Sequence, residues 1–170
     1  AGCHSLTSIT LPNNIKYFGG RAFRDCSSLV SIIIPKDVTS ISFGMFDGCS
    51  SLSFITIPDS VTKIECEAFY GCYSLTTITI PNSVTTIENF AFNGCTSLKE
   101  LHIEDGETIL ELGYSLKYNG YSNGRGLFID CPLEGLYLGR NLSYKAEKDY
   151  GYSPFYNKTI LTSVTIGNNV

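Results

Sequence analysis

The sequence predicts a single elongated repeat solenoid with a parallel β-sheet along one side, and three observations carry that prediction. Sliding residues 75–95 backwards by 23 positions lands on 52–72, then on 29–49 and 6–26, with the apolar positions kept. Each unit contains a short run in which β-branched apolar residues alternate with polar ones, and the run stops at Pro12, Pro35, Pro58 or Pro81. No helical period extends over twelve residues, so the opposite wall is predicted as 3₁₀ or single-turn segments. A unit of this size buries its apolar side only against its neighbours, which is what makes a fixed period the first thing to establish.

The elements of a unit follow in order. In 75–80, Ile78 and Ile80 alternate with threonine, as Ile55 and Ile57 do around Thr56, which suits a strand with one face on a core. The proline that follows has no N–H to give a ladder, and pairs such as Asn13-Asn14, Asp59-Ser60 and Asn82-Ser83 turn the chain away. Ile15, Val38, Val61 and Val84, with Phe18, Ile41, Ile64 and Ile87 three residues on, then point inward a second time. Ala22-Phe23, Met45-Phe46, Ala68-Phe69 and Ala91-Phe92 predict a column of phenyl rings between the walls.

Cysteine closes the unit. Of seven cysteines, Cys3, Cys26, Cys49, Cys72 and Cys95 stand 23 apart, Cys131 follows an insertion, and Cys66 is out of phase. One cysteine per turn lacks the close pairs of a zinc site. Rungs roughly 5 Å apart are within reach of a bridge, but parallel side chains work against the Cβ geometry it needs, so the column reads as inward free thiols acting as small buried hydrophobes.

The regular block is interrupted twice. From Cys95 to Cys131 is 36 residues, thirteen more than the period, and the surplus falls in 104–126, read as a loop with Tyr114, Tyr118 and Tyr121. A second enlarged segment, 144–156, carries Tyr144, Tyr150, Tyr152 and Tyr156 before Leu161 opens another unit that breaks off at Val170. The reading is one domain over 1–170, a piece of a longer protein, with enlarged turns at 104–126 and 144–156. Because the insertions sit on adjacent turns, their tyrosines are expected close together, on a face that solenoids often use for binding.

Composition excludes several functions. The chain is 43% hydrophobic and 16% charged, with no apolar run long enough to span a membrane. Its 16 acidic and 12 basic side chains give a net charge of -4 without a Lys/Arg cluster, which argues against DNA or RNA as a partner.

With its units written as Leu-x-x-Ile-x-Ile-Pro-x-x-Val-x-x-Ile, then Ala-Phe and Cys, the sequence resembles the leucine-rich repeats of the Bacteroides surface protein and Treponema pallidum type. The match is densest in 29–95; after Ile103, Glu104 and Gly139 replace the strand-ending proline and Lys158 stands at the cysteine position. The resemblance implies an α/β leucine-rich repeat fold, a curved right-handed superhelix with the parallel sheet on its concave face. It also implies a bacterial cell-surface or secreted location and adhesion to a protein or glycan, including host extracellular matrix. It carries no catalytic residue and no cofactor.

Two surfaces are candidate binding sites. The outward strand face holds the row Thr10, Ile33, Thr56, Thr79, His102, Tyr137, Thr165 beside Ser8, Ser31, Phe54, Thr77, Glu100, Gly135, Ser163. Phe54 and Tyr137 would supply apolar contact, Glu100 and His102 polarity, and Thr56, Thr77 and Thr79 the floor of a groove. The plain alternative is a solvated sheet of small β-branched residues. Threonine rows are similar to those of ice-binding solenoids, but Ile33, Phe54, Glu100 and His102 interrupt them. The second surface comprises Tyr114, Tyr118, Tyr121, Tyr144, Tyr150 and Tyr152 of the insertions, which either contact a ligand or cover their own enlarged turns.

An enzyme reading rests on Glu100, His102 and Glu104, which alternation puts on one strand face, but no serine or cysteine nucleophile accompanies them. The acidic stretch 104–107 lacks the spacing of a calcium loop, and the Asn141 and Asn157 acceptor patterns carry no weight in a bacterial protein. A structural spacer is the remaining alternative to a binding module.

Overall fold

A computed structural model describes residues 1–113, 127–128, 130–144, 153–155 and 158–170. Each turn passes through two parallel sheets. The apolar–polar runs before proline form the first: β1 (Ser31–Ile33), β3 (Phe54–Thr56), β5 (Thr77–Ile80), β7 (Glu100–Ile103), β9 (Gly135–Arg140) and β11 (Ser163–Asn169). The return side forms the second: β2 (Ser40–Ile41), β4 (Lys63–Ile64), β6 (Thr86–Ile87), β8 (Leu110–Leu112) and β10 (Leu142–Tyr144). The second sheet runs unbroken in the order β2-β4-β6-β8-β10. The first is broken once: β1 pairs with β3, and β5-β7-β9-β11 form a separate ladder, while β3 and β5 lie side by side without pairing.

The expectation of a curved α/β horseshoe is corrected by this architecture, which is an all-β stacked solenoid with no helix among the described residues. Backbone conformation gives the reason. Arg21, Gly44, Glu67 and Phe90, 23 apart, all have φ between 54° and 60°, and Asp25, Gly48, Gly71 and Gly94 follow the same period with φ from 56° to 76°. Left-handed residues on either side of the Ala-Phe pair stop a right-handed helix from propagating. The amides there bond to the next turn instead: Phe23 N to Met45 O, Phe46 N to Ala68 O and Phe69 N to Ala91 O, at 2.8 to 2.9 Å.

Two further differences concern the walls. Ile41, Ile64 and Ile87 lie in paired strands rather than in irregular chain, in register with one another. These strands have two residues each, too few for alternation to show in sequence. The loop read over 104–126 contains β8, whose Glu111 and Leu112 pair with Thr86 and Ile87, so the frame continues to Leu112. In the second enlarged segment, Tyr144 belongs to β10 and pairs with Leu112.

Between the walls lie the two predicted columns. Phe23, Phe46, Phe69, Phe92, Phe128 and Phe155 stack with centroids 5.3 to 5.7 Å apart, and Phe18 caps the column at a tilt of 58°. The cysteines are free, and Cys26, Cys49, Cys72, Cys95 and Cys131 are buried. They do more than fill space: the thiols of Cys49, Cys72, Cys95 and Cys131 donate to the carbonyls of Phe23, Phe46, Phe69 and Phe92 at 3.0, 3.3, 3.3 and 3.6 Å. Each thiol thus adds a second donor to a carbonyl of the preceding turn that already accepts from a backbone amide, as Phe23 O does from Cys26 N at 3.1 Å, a net gain of at most about 0.5–1.5 kcal/mol.

Lys158, the departure from the cysteine column, fits the same logic. Its ammonium donates to Phe128 O and Cys131 O, so a lysine reaches the phenylalanine carbonyl that a thiol would otherwise serve. Burial pushes its pKa down, with the neighbouring Cys131 and Asp130 acting in the opposite direction. Lys158→Ala is expected to lower unfolding free energy by about 1.5–3 kcal/mol, whereas Lys158→Cys loses distinctly less. Paired urea melts check this, and equal losses would refute the equivalence of thiol and ammonium.

The thiols also link stability to pH. Burial, reinforced by the neighbouring Cys26, pushes the Cys49 pKa up to about 12, and burial does the same for Cys131, also to about 12. An unfolded thiol loses its proton near pH 8.5 to 9. The contribution is therefore complete below about pH 8.5 and is lost as pH rises toward 12, because the unfolded state then binds fewer protons. Thermal melts between pH 8 and 11 are expected to show a steeper fall for the native chain than for Cys49→Ala. Parallel slopes would refute it.

Candidate functional site

The register of the first sheet sets the proposed surface residues in rows. Thr77 stands opposite Glu100 and Thr79 opposite His102; Glu100 and His102 in turn face Gly135 and Tyr137. Phe54, Thr56, Thr77, Thr79, Glu100 and His102 are exposed and Tyr137 is half-buried. Because the fold is not a curved horseshoe, these residues occupy the outer face of a stacked wall rather than a concave hollow. Two apolar residues stand out there: Phe54 is 56% and Ile33 86% exposed.

The four-stranded part carries a polar cluster. His102 and Tyr137 stack with centroids 4.3 Å apart and planes 4° from parallel. Tyr137 donates its hydroxyl to Asp105 Oδ2 at 2.8 Å, and this bond, with the charge of Asp105, raises the phenol pKa. Glu100 lies across Gly135, where a Cβ would fall on its carboxylate, so glycine makes room for that side chain. Glu104 turns to the turn below and accepts from the Asn82 N–H at 3.1 Å. No hydrogen bond joins Glu100, His102 and Glu104, so the base-and-carboxylate arrangement considered from sequence does not form.

At the break in the first sheet lies a cleft of about 260 Å³, between β3 and β5. Phe54, Thr56, Thr77 and Thr79 line it together with Ile55, Ile57, Ile78, Asp59, Pro81 and Glu104. The structure thus joins four proposed residues in one concavity and adds two carboxylates, Asp59 and Glu104, of which the sequence points only to Glu104, and that as part of an enzyme reading. Asp59 follows a strand-ending proline and Glu104 replaces one, so a search of those corner positions for charge would have found both.

Behind this cleft lies Arg140, fully buried. Its guanidinium donates to Pro81 O at 2.9 Å, to Asn82 O at 2.8 Å and to Thr108 Oγ1 at 3.3 Å. It ties the turn after β5 to the segment after β7. Burial pushes its pKa down and Glu104 pushes it up.

A second cleft, of about 570 Å³, runs along β4, β6, β8 and β10 and is lined by Lys63, Cys66, Glu88, Glu111, Ser143 and Tyr144 among others. Lys63 donates to Glu88 Oε1 at 2.6 Å, and Glu88 Oε2 accepts from the Cys66 N–H at 2.9 Å. Burial raises the Glu88 pKa, but the Lys63 and Cys66 hydrogen bonds outweigh it and hold the carboxyl below its ordinary value. Burial and the Glu88 charge push the Cys66 thiol up, so it is a poor nucleophile. Of the insertion tyrosines, Tyr144 is exposed on the rim of this cleft. Tyr114, Tyr118, Tyr121, Tyr150 and Tyr152 lie outside the described residues.

Among the described residues no group of three or more His, Cys, Asp or Glu gathers to hold a metal, and no helix is long and apolar enough to cross a membrane. The molecule is thus a stacked repeat solenoid whose distinctive features are an outward strand face and two clefts. The chain belongs to the BspA type leucine rich repeat region family, whose model matches residues 1–122 in six copies.

It is similar to a leucine rich cell surface protein from Faecalibacterium prausnitzii A2-165, 28% identical, with a TM-score of 0.67 over 95% of this chain and 39% of that one. It also matches a T. pallidum leucine rich repeat protein, 24% identical over 63% of this chain and 73% of that one, TM-score 0.43. A leucine-rich repeat protein from Bacteroides ovatus ATCC 8483 is 20% identical over 97% of this chain and 62% of that one, TM-score 0.42. The chain spans 39% of the length of the Faecalibacterium protein. No curated protein matches.

Replacing Asp105 by Asn is expected to bring the Tyr137 titration midpoint down toward its ordinary value near 10. Following the Tyr137 ring signals by NMR from pH 8 to 12 checks this; an unchanged midpoint would show that Asp105 does not hold the phenol.

Proposed function

We propose that this chain is a protein-binding repeat region of a bacterial surface protein, engaging its partner through the outer face of the first sheet and performing no catalysis. The observation that carries the reading is the exposed aromatic Phe54 at the lip of a cleft on an otherwise threonine-rich wall. Exposed aromatic anchors beside a concavity are what recognition surfaces use, whereas a spacer gains nothing from leaving a phenyl ring in water. Family membership and the likeness to a leucine rich cell surface protein support a surface location and an adhesive role.

Glu100, His102 and Tyr137 extend the face beyond the cleft with polar contacts, and Thr56, Thr77 and Thr79 provide hydroxyls at its floor. The larger cleft on the second sheet, with Tyr144 on its rim, is a subordinate contact site. There the insertion tyrosines Tyr114, Tyr118, Tyr121, Tyr150 and Tyr152 would add area if they reach it. Glycan binding at these tyrosines is the second reading, favoured by the large area and polar tip that each phenol offers to a sugar ring.

An array of extracellular matrix proteins and surface glycans probed with the chain tests the proposal. Phe54→Ser combined with Thr79→Lys is expected to weaken protein capture by about tenfold or more, as loss of a hot-spot side chain does, with thermal stability nearly unchanged because both side chains are exposed. Capture that survives the double substitution would remove the first-sheet face from the function. Capture of glycans alone, abolished by Tyr144→Ser, would favour the second reading.

A further inference from the structure

The cleft between β3 and β5 has the size, lining and charge of a receptor for one basic side chain. At about 260 Å³ it falls below the roughly 300–1,000 Å³ of small-molecule sites. Thr56, Thr77 and Thr79 face into it, and Ile55, Ile57 and Ile78, whose side chains are buried in the core, lie beneath them. Its rim carries an aromatic ring, Phe54, and two carboxylates, Asp59 and Glu104. A long aliphatic stem ending in a cation matches this lining: the stem meets the Phe54 ring and the threonine methyls, and the cation meets the acid.

The charges decide which sign is preferred. Asp59 is exposed and has no ion-pair partner among the described residues. Glu104 has one oxygen committed to the Asn82 N–H, and the buried Arg140 behind Pro81 offsets part of its charge. Arg140 itself is occupied by the carbonyls of Pro81 and Asn82 and by Thr108, and it does not line the cleft. Asp59 is therefore the principal anion at the rim and Glu104 the secondary one. Elsewhere on the same face Glu100 and Asp105 add negative charge. The cleft lies where β3 and β5 are adjacent but form no ladder.

We propose that this cleft docks a lysine or arginine side chain from an extended segment of a protein partner, with the stem between Phe54 and the threonines and the cation on Asp59. The inference rests on the reading of the first-sheet face as a protein-binding surface and names the chemistry that the partner brings to it. It makes the face selective for basic segments, consistent with the net charge of -4.

The test is an NMR titration of the isotope-labelled chain with the acetylated, amidated peptide Thr-Val-Lys-Val-Thr and its counterpart with norleucine in place of lysine. The lysine peptide is expected to shift signals of residues 54–59 and 77–81 and of Glu104, and to bind about tenfold more tightly than the norleucine peptide. Asp59→Asn is expected to reduce that preference to about threefold or less, and Phe54→Leu to weaken the lysine peptide while preserving the fold.

Equal shifts from the two peptides, shifts confined to other strands, or no shift at all would overturn the inference. Protein capture on the array with no selectivity for lysine in the titration would sink this proposal while leaving the protein-binding reading intact. No protein capture together with a featureless titration would sink both.

Discussion

Everything in this structure depends on the constant spacing between turns. Parallel pairing repeats from turn to turn, in the second sheet throughout and in the first at every junction but β3–β5, so whatever stands at a paired position meets its equivalent on the next turn about 5 Å away. That single constraint converts a sequence period into columns, and each column must then be chemically self-compatible. Phenylalanine stacks on phenylalanine, isoleucine on isoleucine, and a thiol donates to the carbonyl one turn back. The same constraint brings Lys63 to Glu88, Arg24 to Asp47 and Lys99 to Glu134 within reach across adjacent turns.

Magnitudes show how the unit balances. Two left-handed residues per turn cost about 1–2 kcal/mol each when they are not glycine, which is the order of what burying one phenylalanine contributes, about 1.5–3 kcal/mol. The Phe column alone therefore does little more than offset backbone strain in units such as the one containing Arg21 and Asp25. The surplus comes from the leucine, the isoleucines, the valine and the cysteine that each turn also buries. Units with glycine at one or both of those positions, such as Gly44 and Gly48, avoid much of the strain.

The inward columns were legible in sequence because burial imposes strict identity at fixed spacing: Ile55, Ile78 and Leu101 sit where alternation put them. The second sheet was not legible, since Ile41 and its equivalents lie in two-residue strands, and the left-handed residues escaped because Arg21, Glu67 and Phe90 share no side-chain chemistry. The α/β expectation came from the family resemblance, and nothing legible in these residues stood against it. Of the candidate site, the rows of outward residues followed from the period, but the cleft did not. It lies where a ladder is missing between two strands whose sequences look like their neighbours, and it joins Asp59, a corner residue the alternation does not reach, to Glu104. Lys158 looked like decay of the pattern and instead preserves the donor that the column requires.

The gap between β3 and β5 also has a mechanical side. Across every other adjacent pair from β1 to β11 the first sheet supplies backbone hydrogen bonds, but at this junction the turns are joined through β4 and β6, through backbone bonds of the Ala-Phe segment such as Phe69 N to Ala91 O and Gly71 N to Asn93 O, and by the Phe and Cys columns between. A rod that lacks one of its three lines of fastening bends most easily about the two that remain. Load applied along the solenoid axis, as on a molecule held between two surfaces, would concentrate its strain there, and the ring of Phe54 sits where the two segments would part.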